Sequence, residues 1–212
     1  SMYLTQAITL WKKNTGESDR EYCFFTKKFG KISTIAKGVR KPNAKLQGQI
    51  EPPCLTNIDF IIGHTNKLTG ALIKNNFPKI RTNYIALQTS QYILRLVDKY
   101  ILFPETDLTL WNILKQTLET LEKTNDKNTI SPLVKYWFTA QLIKHLGFEP
   151  VLKETIINKI NINKQTLRSL NILFRENIND IIKNDLAEPI LNQKNNIQKY
   201  LNQLLCKIIQ NY

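Results

Sequence analysis

Cysteine is scarce in this chain of 212 residues, and the three present, Cys23, Cys54 and Cys206, are odd in number and far apart. That excludes a disulfide framework and any C-x-x-C metal or redox pair, and it suits a reducing compartment. No apolar run approaches the roughly 18 to 20 residues of a membrane span. The residues after Met2 follow a polar strand pattern where a signal peptide would be apolar, so the expected compartment is the cytoplasm; Ser1 reads as a remnant of tag removal. Also missing are a phosphate-cradling GxxxxGKS or GxxxxGKT, a dinucleotide GxGxxG, an HExxH and a GxSxG. His64 and His145 have no cysteine or second histidine at ligand spacing, which argues against zinc. Nothing in the chain calls for an enzyme. The most informative absence is of acid: residues 27–48, KKFGKISTIAKGVRKPNAKLQG, contain seven lysines and arginines and no aspartate or glutamate.

What is present is an excess of positive charge, 30 lysines and arginines against 17 acids, for a net +13. Lysine far outnumbers arginine, and asparagine and isoleucine are abundant, as an AT-rich coding bias would produce without any ligand. Bias should act evenly along the chain. Yet residues 1–82 hold fourteen cations and five acids, and the longer remainder sixteen and twelve. The concentration in the shorter part points to a polyanionic partner.

That shorter part reads as strands. YLTQAITLW and REYCFFTKKFG mix β-branched and aromatic residues around the turn-prone NTGESD, and KISTIAKGV follows directly. PNAKLQGQIEPP is a loop, because its prolines cannot sit within a central strand. CLTNIDFII and KLTGALIKNNF, joined by GHTN, read as a hairpin. About five strands in some eighty residues suggest a small closed barrel, which leaves no free edges. After Pro78 the apolar period becomes helical. Helices are predicted over 83–102, around Leu110 to Leu121, from Ser131 as N-cap with Pro132 at the first position to Gly147, over 163–176 with a short piece at 178–182, and at the carboxy-terminal end after Pro189. LVKYWFTAQLIKHL is apolar on most faces and is expected at the centre. The fold class is therefore α+β: a barrel over residues 1–80, then an all-α domain over 81–212.

On such a scaffold Lys27, Lys28, Lys31, Lys37, Arg40, Lys41 and Lys45 cannot all point inward, since an unpaired buried ammonium costs several kcal/mol or more. They are expected to line a surface for a phosphate backbone, with a single-strand salt slope near −4 if about six phosphates are met. Trp11, Tyr22, Phe24, Phe25 and Phe29 are interleaved with them. Exposed rings would stack on bases, whereas a small barrel also needs bulky residues inside. Tyr22 and Phe24 share one strand face and Phe25 the other, so at most one set is exposed; the sequence leaves open which. Glu17, Asp19 and Glu21 alternate as a hard cation prefers, but they sit in a turn that needs polar residues, and Asp19 or Glu21 is expected to pair with a neighbouring lysine or arginine.

The order of motifs GESDR (16–20), FFTKKFGKI (24–32), AKGVRKPNAKLQGQIEP (36–52) and LIKNNFPKIR (72–81) resembles the amino-terminal OB-fold domain of the RecO family of DNA repair proteins. SPLVKYWFTAQLIKHLGFEP (131–150) is similar to the central helix of that family's helical domain. The resemblance implies a non-enzymatic recombination mediator that binds single- and double-stranded DNA, anneals complementary strands, and acts with RecR to place RecA on DNA covered by single-strand-binding protein. It carries DNA contacts onto Lys37, Arg40 and Lys41; Arg20, Lys27, Lys28 and Lys45 are added from the charge pattern. Many relatives have a four-cysteine zinc module after the LGF segment. Here LKETIINKININKQTL has no cysteine, so no metal or other cofactor is expected. Some relatives use an arginine on the central helix to receive the acidic tail of single-strand-binding protein; Tyr136 and Trp137 occupy the nearest positions, leaving Lys135 or Lys144 to supply the charge. Two readings from other classes remain at this point: an RNA-binding OB-fold protein of translation, and a metal-dependent nuclease built on Glu17, Asp19 and Glu21.

Overall fold

The computed structural model describes residues 1–42, 44, 50–102, 104–150 and 162–210. Five strands come first: β1 (Met2–Thr15), β2 (Asp19–Thr26), β3 (Gly30–Ala36), β4 (Leu55–Ile61) and β5 (Lys67–Asn75). Antiparallel pairing joins β1 to β2, β2 to β3, β4 to β5 and β4 back to β1. A parallel pairing of Ile35 with Lys67 completes the circuit β1-β2-β3-β5-β4, so the sheet closes on itself. This is the OB-fold arrangement that the five short strands predict. The inward face holds Ala7, Tyr22, Phe24, Ile32, Ala36, Ile58, Phe60 and Leu68. Val39 and Ile50, from the long β3–β4 connection, join the same core.

Helices follow: α1 (Pro78–Arg81), α2 (Tyr84–Tyr100), α3 (Leu108–Lys123), α4 (Lys127–His145), α5 (Lys164–Arg175), α6 (Ile178–Lys183), α7 (Ala187–Leu191) and α8 (Lys194–Gln210). Helix α4 is central, with buried side chains around most of its girth, and packs against α2, α3, α5, α7 and α8. It starts about a turn earlier than the pattern predicts. Asp126 is its N-cap, accepting from the Thr129 amide at 3.1 Å, and Ser131 and Pro132 lie inside the helix. The early start buries Ile130 and lets the Lys127 ammonium cap the end of α3 by donating to the carbonyls of Glu122 and Thr124. Pro132 falls in the second turn, where it removes the hydrogen bond to the carbonyl of residue 128 and crowds that carbonyl. At the other end Gly147 (φ +85°) terminates α4 as expected. Its amide and that of Phe148 return to the carbonyls of Lys144 and Ile143.

The two halves share one core. Ile8, Leu10, Cys23, Phe25 and Leu55 point outward from the barrel and pack among the helices, with Phe25 at 6.4 Å from the Trp111 ring. Lys31 is drawn into this junction: its ammonium lies 2.8 Å from the Asp98 carboxylate and donates to the Asp98 carbonyl at 2.6 Å. Phe77 closes the hinge, wholly buried with its backbone in the left-handed region. The Glu122 carboxylate then takes the free amides of Lys79 and Ile80 at the start of α1. Burial pushes the Cys23 thiol up to about 12, with Asp98 adding to it, and the Cys54 thiol up to about 11. Both are inert packing residues.

Gly30 shows how close the halves come. It sits at φ +64°, and a Cβ built there would lie 2.1 Å from the backbone oxygen of Glu105. Gly30→Ala is therefore expected to cost about 2–4 kcal/mol, from left-handed strain and a backbone clash together. Urea denaturation measures it, and a loss under about 0.5 kcal/mol would mean that the junction yields.

Candidate nucleic-acid interface

The cations singled out by sequence do not form one line. The turn after β3 carries Lys37, Arg40 and Lys41, all exposed, and Arg20 stands beside it at the start of β2, paired across the sheet with Ala36. Lys27 and Lys28 lie in the β2–β3 turn at the other end of the same strands. Seven residue steps of strand separate the two groups, roughly 23 Å. Lys31, counted with the surface cations, instead belongs to the inter-domain junction through Asp98. Lys45 and residues 151–161, which hold most of the cysteine-free segment compared above with a zinc module, lie outside the described residues.

At the Lys37 end two loops are tied together. The Asp19 carboxylate accepts from the Lys37 ammonium at 2.7 Å with one oxygen and from the Gly38 amide at 2.8 Å with the other. The Arg40 amide donates to Ser18 O at 2.9 Å, and its guanidinium to Gly16 O at 3.3 Å. Arg20 is held by Asn14 through a 2.9 Å bond from Nε to Oδ1. The Lys37 side chain keeps 69% of its surface exposed against 20% for Asp19, so the ammonium still faces solvent while the carboxylate lies beneath the turn. The pairing of Asp19 with a nearby lysine is as expected, and it uses the carboxylate that a metal site would need. Among the described residues no three His, Cys, Asp or Glu side chains converge as metal ligands.

Sequence reasoning missed one neighbour. Lys67 opens β5, is exposed, and pairs with Ile35 two residues before Lys37. Only the parallel closure of the barrel brings it there, since in sequence it is simply the residue after a hairpin turn. Asn66 fastens the same turn by donating to Ser33 O and accepting from the Ile35 amide. The β1–β2 loop, the turn after β3 and the β4–β5 loop therefore gather at one end of the barrel. In OB-folds this is where the loops of oligonucleotide sites sit.

The aromatics fill the interior and the junction. Tyr22, Phe24 and Phe25 are fully buried, the first two inside the barrel and the third under α3; Trp11 and Phe29 are half-buried against the two cores. No base can stack on the first three. Among the helices, Lys135 lies half-buried with its ammonium 4.6 Å from the Tyr92 ring centroid, and desolvation lowers its pKa. Lys144 is exposed, donating to Phe174 O at 3.2 Å and 4.0 Å from Glu149. Nine helical residues put these lysines on opposite faces, about 13.5 Å apart along the axis, so they cannot grip one carboxylate together.

A family model described as Recombination protein O N terminal matches residues 1–72, and one described as Recombination protein O C terminal matches residues 81–177. The chain belongs to the RecO family. A DNA repair protein RecO of Syntrophus aciditrophicus is 26% identical over 171 residues, 79% of this chain and 64% of its own length. One from Dehalococcoides mccartyi is 28% identical over 72% of this chain and 59% of its own. Another, from Alkaliphilus metalliredigens, is 24% identical over 98% and 91%. The matched stretch thus spans about three fifths of the length of the first two RecO proteins and most of the third.

The pair at the centre of the site has a readable titration. The Lys37 ammonium, then the Gly38 amide, hold the Asp19 carboxyl below the ordinary aspartate value of 3.8. A depressed value means that the tie is complete above the ordinary range and is lost as pH falls through the lowered one. Carboxyl NMR should place the Asp19 midpoint below 3.8, and Lys37→Ala should move it upward. A midpoint that does not move would show that the ion pair is absent in solution.

Proposed function

We propose that this chain acts in recombinational DNA repair as a mediator without catalysis of its own, holding single- and double-stranded DNA by their phosphates at the barrel end that carries Arg20, Lys37, Arg40 and Lys41. The observation that carries this reading is the cluster itself: Arg20 at the start of β2 beside Lys37, Arg40 and Lys41 on a turn hydrogen-bonded to the β1–β2 loop, at the mouth of an OB-fold, in a family whose curated relatives are named DNA repair proteins. Lys27 and Lys28 serve as a separate, more distant contact, and Lys45, four residues after Lys41 in the acid-free run, is a further candidate from sequence alone. Cations on two strands' phosphates would displace counterions and lower the repulsion that slows pairing, which is the physical basis for annealing. RecR, the acidic tail of single-strand-binding protein and RecA are the partners that the family resemblance implies. Lys144 is the better placed of the two helical lysines for an acidic tail, because Lys135 is already engaged with an aromatic ring.

Four phosphate contacts in place of six give a single-strand salt slope of about −3. The double substitution Lys37→Glu with Arg40→Glu is expected to abolish binding of a labelled oligonucleotide and annealing of complementary strands, with the melting temperature unchanged. A folded double variant that anneals at the wild-type rate would refute the site. Competition between DNA and RNA strands of matched sequence separates this function from an RNA-binding role: preference for RNA would favour the translation reading.

A further inference from the structure

Asp19 is the acid bonded to Lys37 within the basic cluster, and electrostatics alone would make it a defect. Its geometry argues otherwise. Both carboxylate oxygens are occupied from the protein side, one by Lys37 and one by the Gly38 amide, and the side chain lies mostly under the turn. Gly38 has φ +63°, and its carbonyl accepts from the Lys41 amide at 3.1 Å, so the bend of the turn begins at the residue that Asp19 holds. Val39 plugs the middle of the turn into the barrel core, which fixes where it sits. A buried valine does not fix how Lys37, Arg40 and Lys41 are aimed around it. The Asp19 bond to the Gly38 amide, with the bonds from Arg40 to Ser18 and Gly16, supplies that second constraint.

We infer that Asp19 is a positioning residue of the DNA site: it locks the turn of Gly38 to Lys41 onto the β1–β2 loop so that Lys37, Arg40 and Lys41 present one preformed row to the phosphates. The inference rests on the proposed DNA-binding function and adds to it a carboxylate that strengthens binding to a polyanion. Preformation matters because lysine and arginine side chains on a loose turn lose more freedom when they bind, and that loss is subtracted from the affinity.

Two substitutions separate aim from charge. Asp19→Asn removes the charge but keeps an oxygen for the Gly38 amide, whereas Asp19→Ala removes both. With a fluorescently labelled single strand as probe, the Asn variant should bind as tightly as wild type or tighter. The Ala variant should bind about fivefold more weakly than the Asn variant, with a salt slope flatter by about 0.7, the loss of one phosphate contact. An Ala variant that equals or exceeds the Asn variant would overturn the inference, because charge alone would then account for Asp19. Thermal melting of each variant controls for folding. Should the Ala variant not fold, Gly38→Ala, which strains the same turn at a positive φ, takes its place with the same expected loss. Lys37→Glu with Arg40→Glu is run beside them: if that double variant still binds, the DNA site itself is wrong, and if it loses binding while Asp19→Ala does not, only the role of Asp19 falls.

Discussion

From Tyr22 to Thr26 strand β2 has no solvent face, and the rest of the molecule is arranged around that fact. Tyr22 and Phe24 point into the barrel, while Cys23 and Phe25 point out into the helices, and all four are buried. Each large side chain so buried contributes about 1.5–3 kcal/mol, so the helices are held against this strand by packing as firmly as the barrel is held within itself. The Lys31–Asp98 pair adds direction to that packing. An ammonium bonded to both the carboxylate and the carbonyl of one residue fixes the register of α2 on the sheet.

The covered strand decides what kind of nucleic-acid site is left. An OB-fold ordinarily offers the face of its second and third strands, where aromatic rings stack on bases. Here the outward positions of β2 are spent on the helical half, and the outward lysine of β3 is paired there. Around that face Ser33 and the loops at the barrel's ends stay open, and the loops carry lysine and arginine while Tyr22, Phe24 and Phe25 are covered. A site of that composition reads phosphates and ignores base identity. The annealing role proposed above would require such indifference.

Much of this was legible in the sequence. The alternation of β-branched and aromatic residues, the prolines and the change of period after Pro78 gave five strands followed by helices, because each is a local signal. The acid-free run gave the basic loops. Three things failed for a physical reason. Lys31 looked like its neighbours because its carboxylate, Asp98, lies 67 residues away and arrives only when α2 docks. Lys67 looked unremarkable because parallel pairing of β3 with β5 leaves no mark in either strand. The start of α4 was misjudged for a third reason: Asp126 and Ser131 are both good caps, and what chose between them was the burial of Ile130 and the capping of α3 by Lys127, which are tertiary effects. The unbroken apolar run Tyr22 to Phe25 did carry the hint that both faces of β2 would be covered.

The lysines of this protein thus divide between those that hold the fold and those open to the proposed ligand, and the divider is how far each ammonium is buried rather than its distance from a carboxylate. Lys31 meets Asp98 in a half-buried junction, where losing its partner would strand a charge, and so it is committed to the fold. Lys12 is committed in the same way to Glu51, beside the loop that Arg81 holds by donating to the carbonyls of Glu51 and Pro53. Lys37 also has a carboxylate, but its ammonium is largely exposed, so desolvation is small and the pairing leaves donors free for a phosphate. A net positive charge concentrated in the first 82 residues therefore overstates the proposed binding site. The cations that count are those whose carboxylate, if they have one, lies on the protein side of the ammonium, and at this barrel end Lys37 satisfies that condition while Arg20 and Arg40 are held through neutral oxygens.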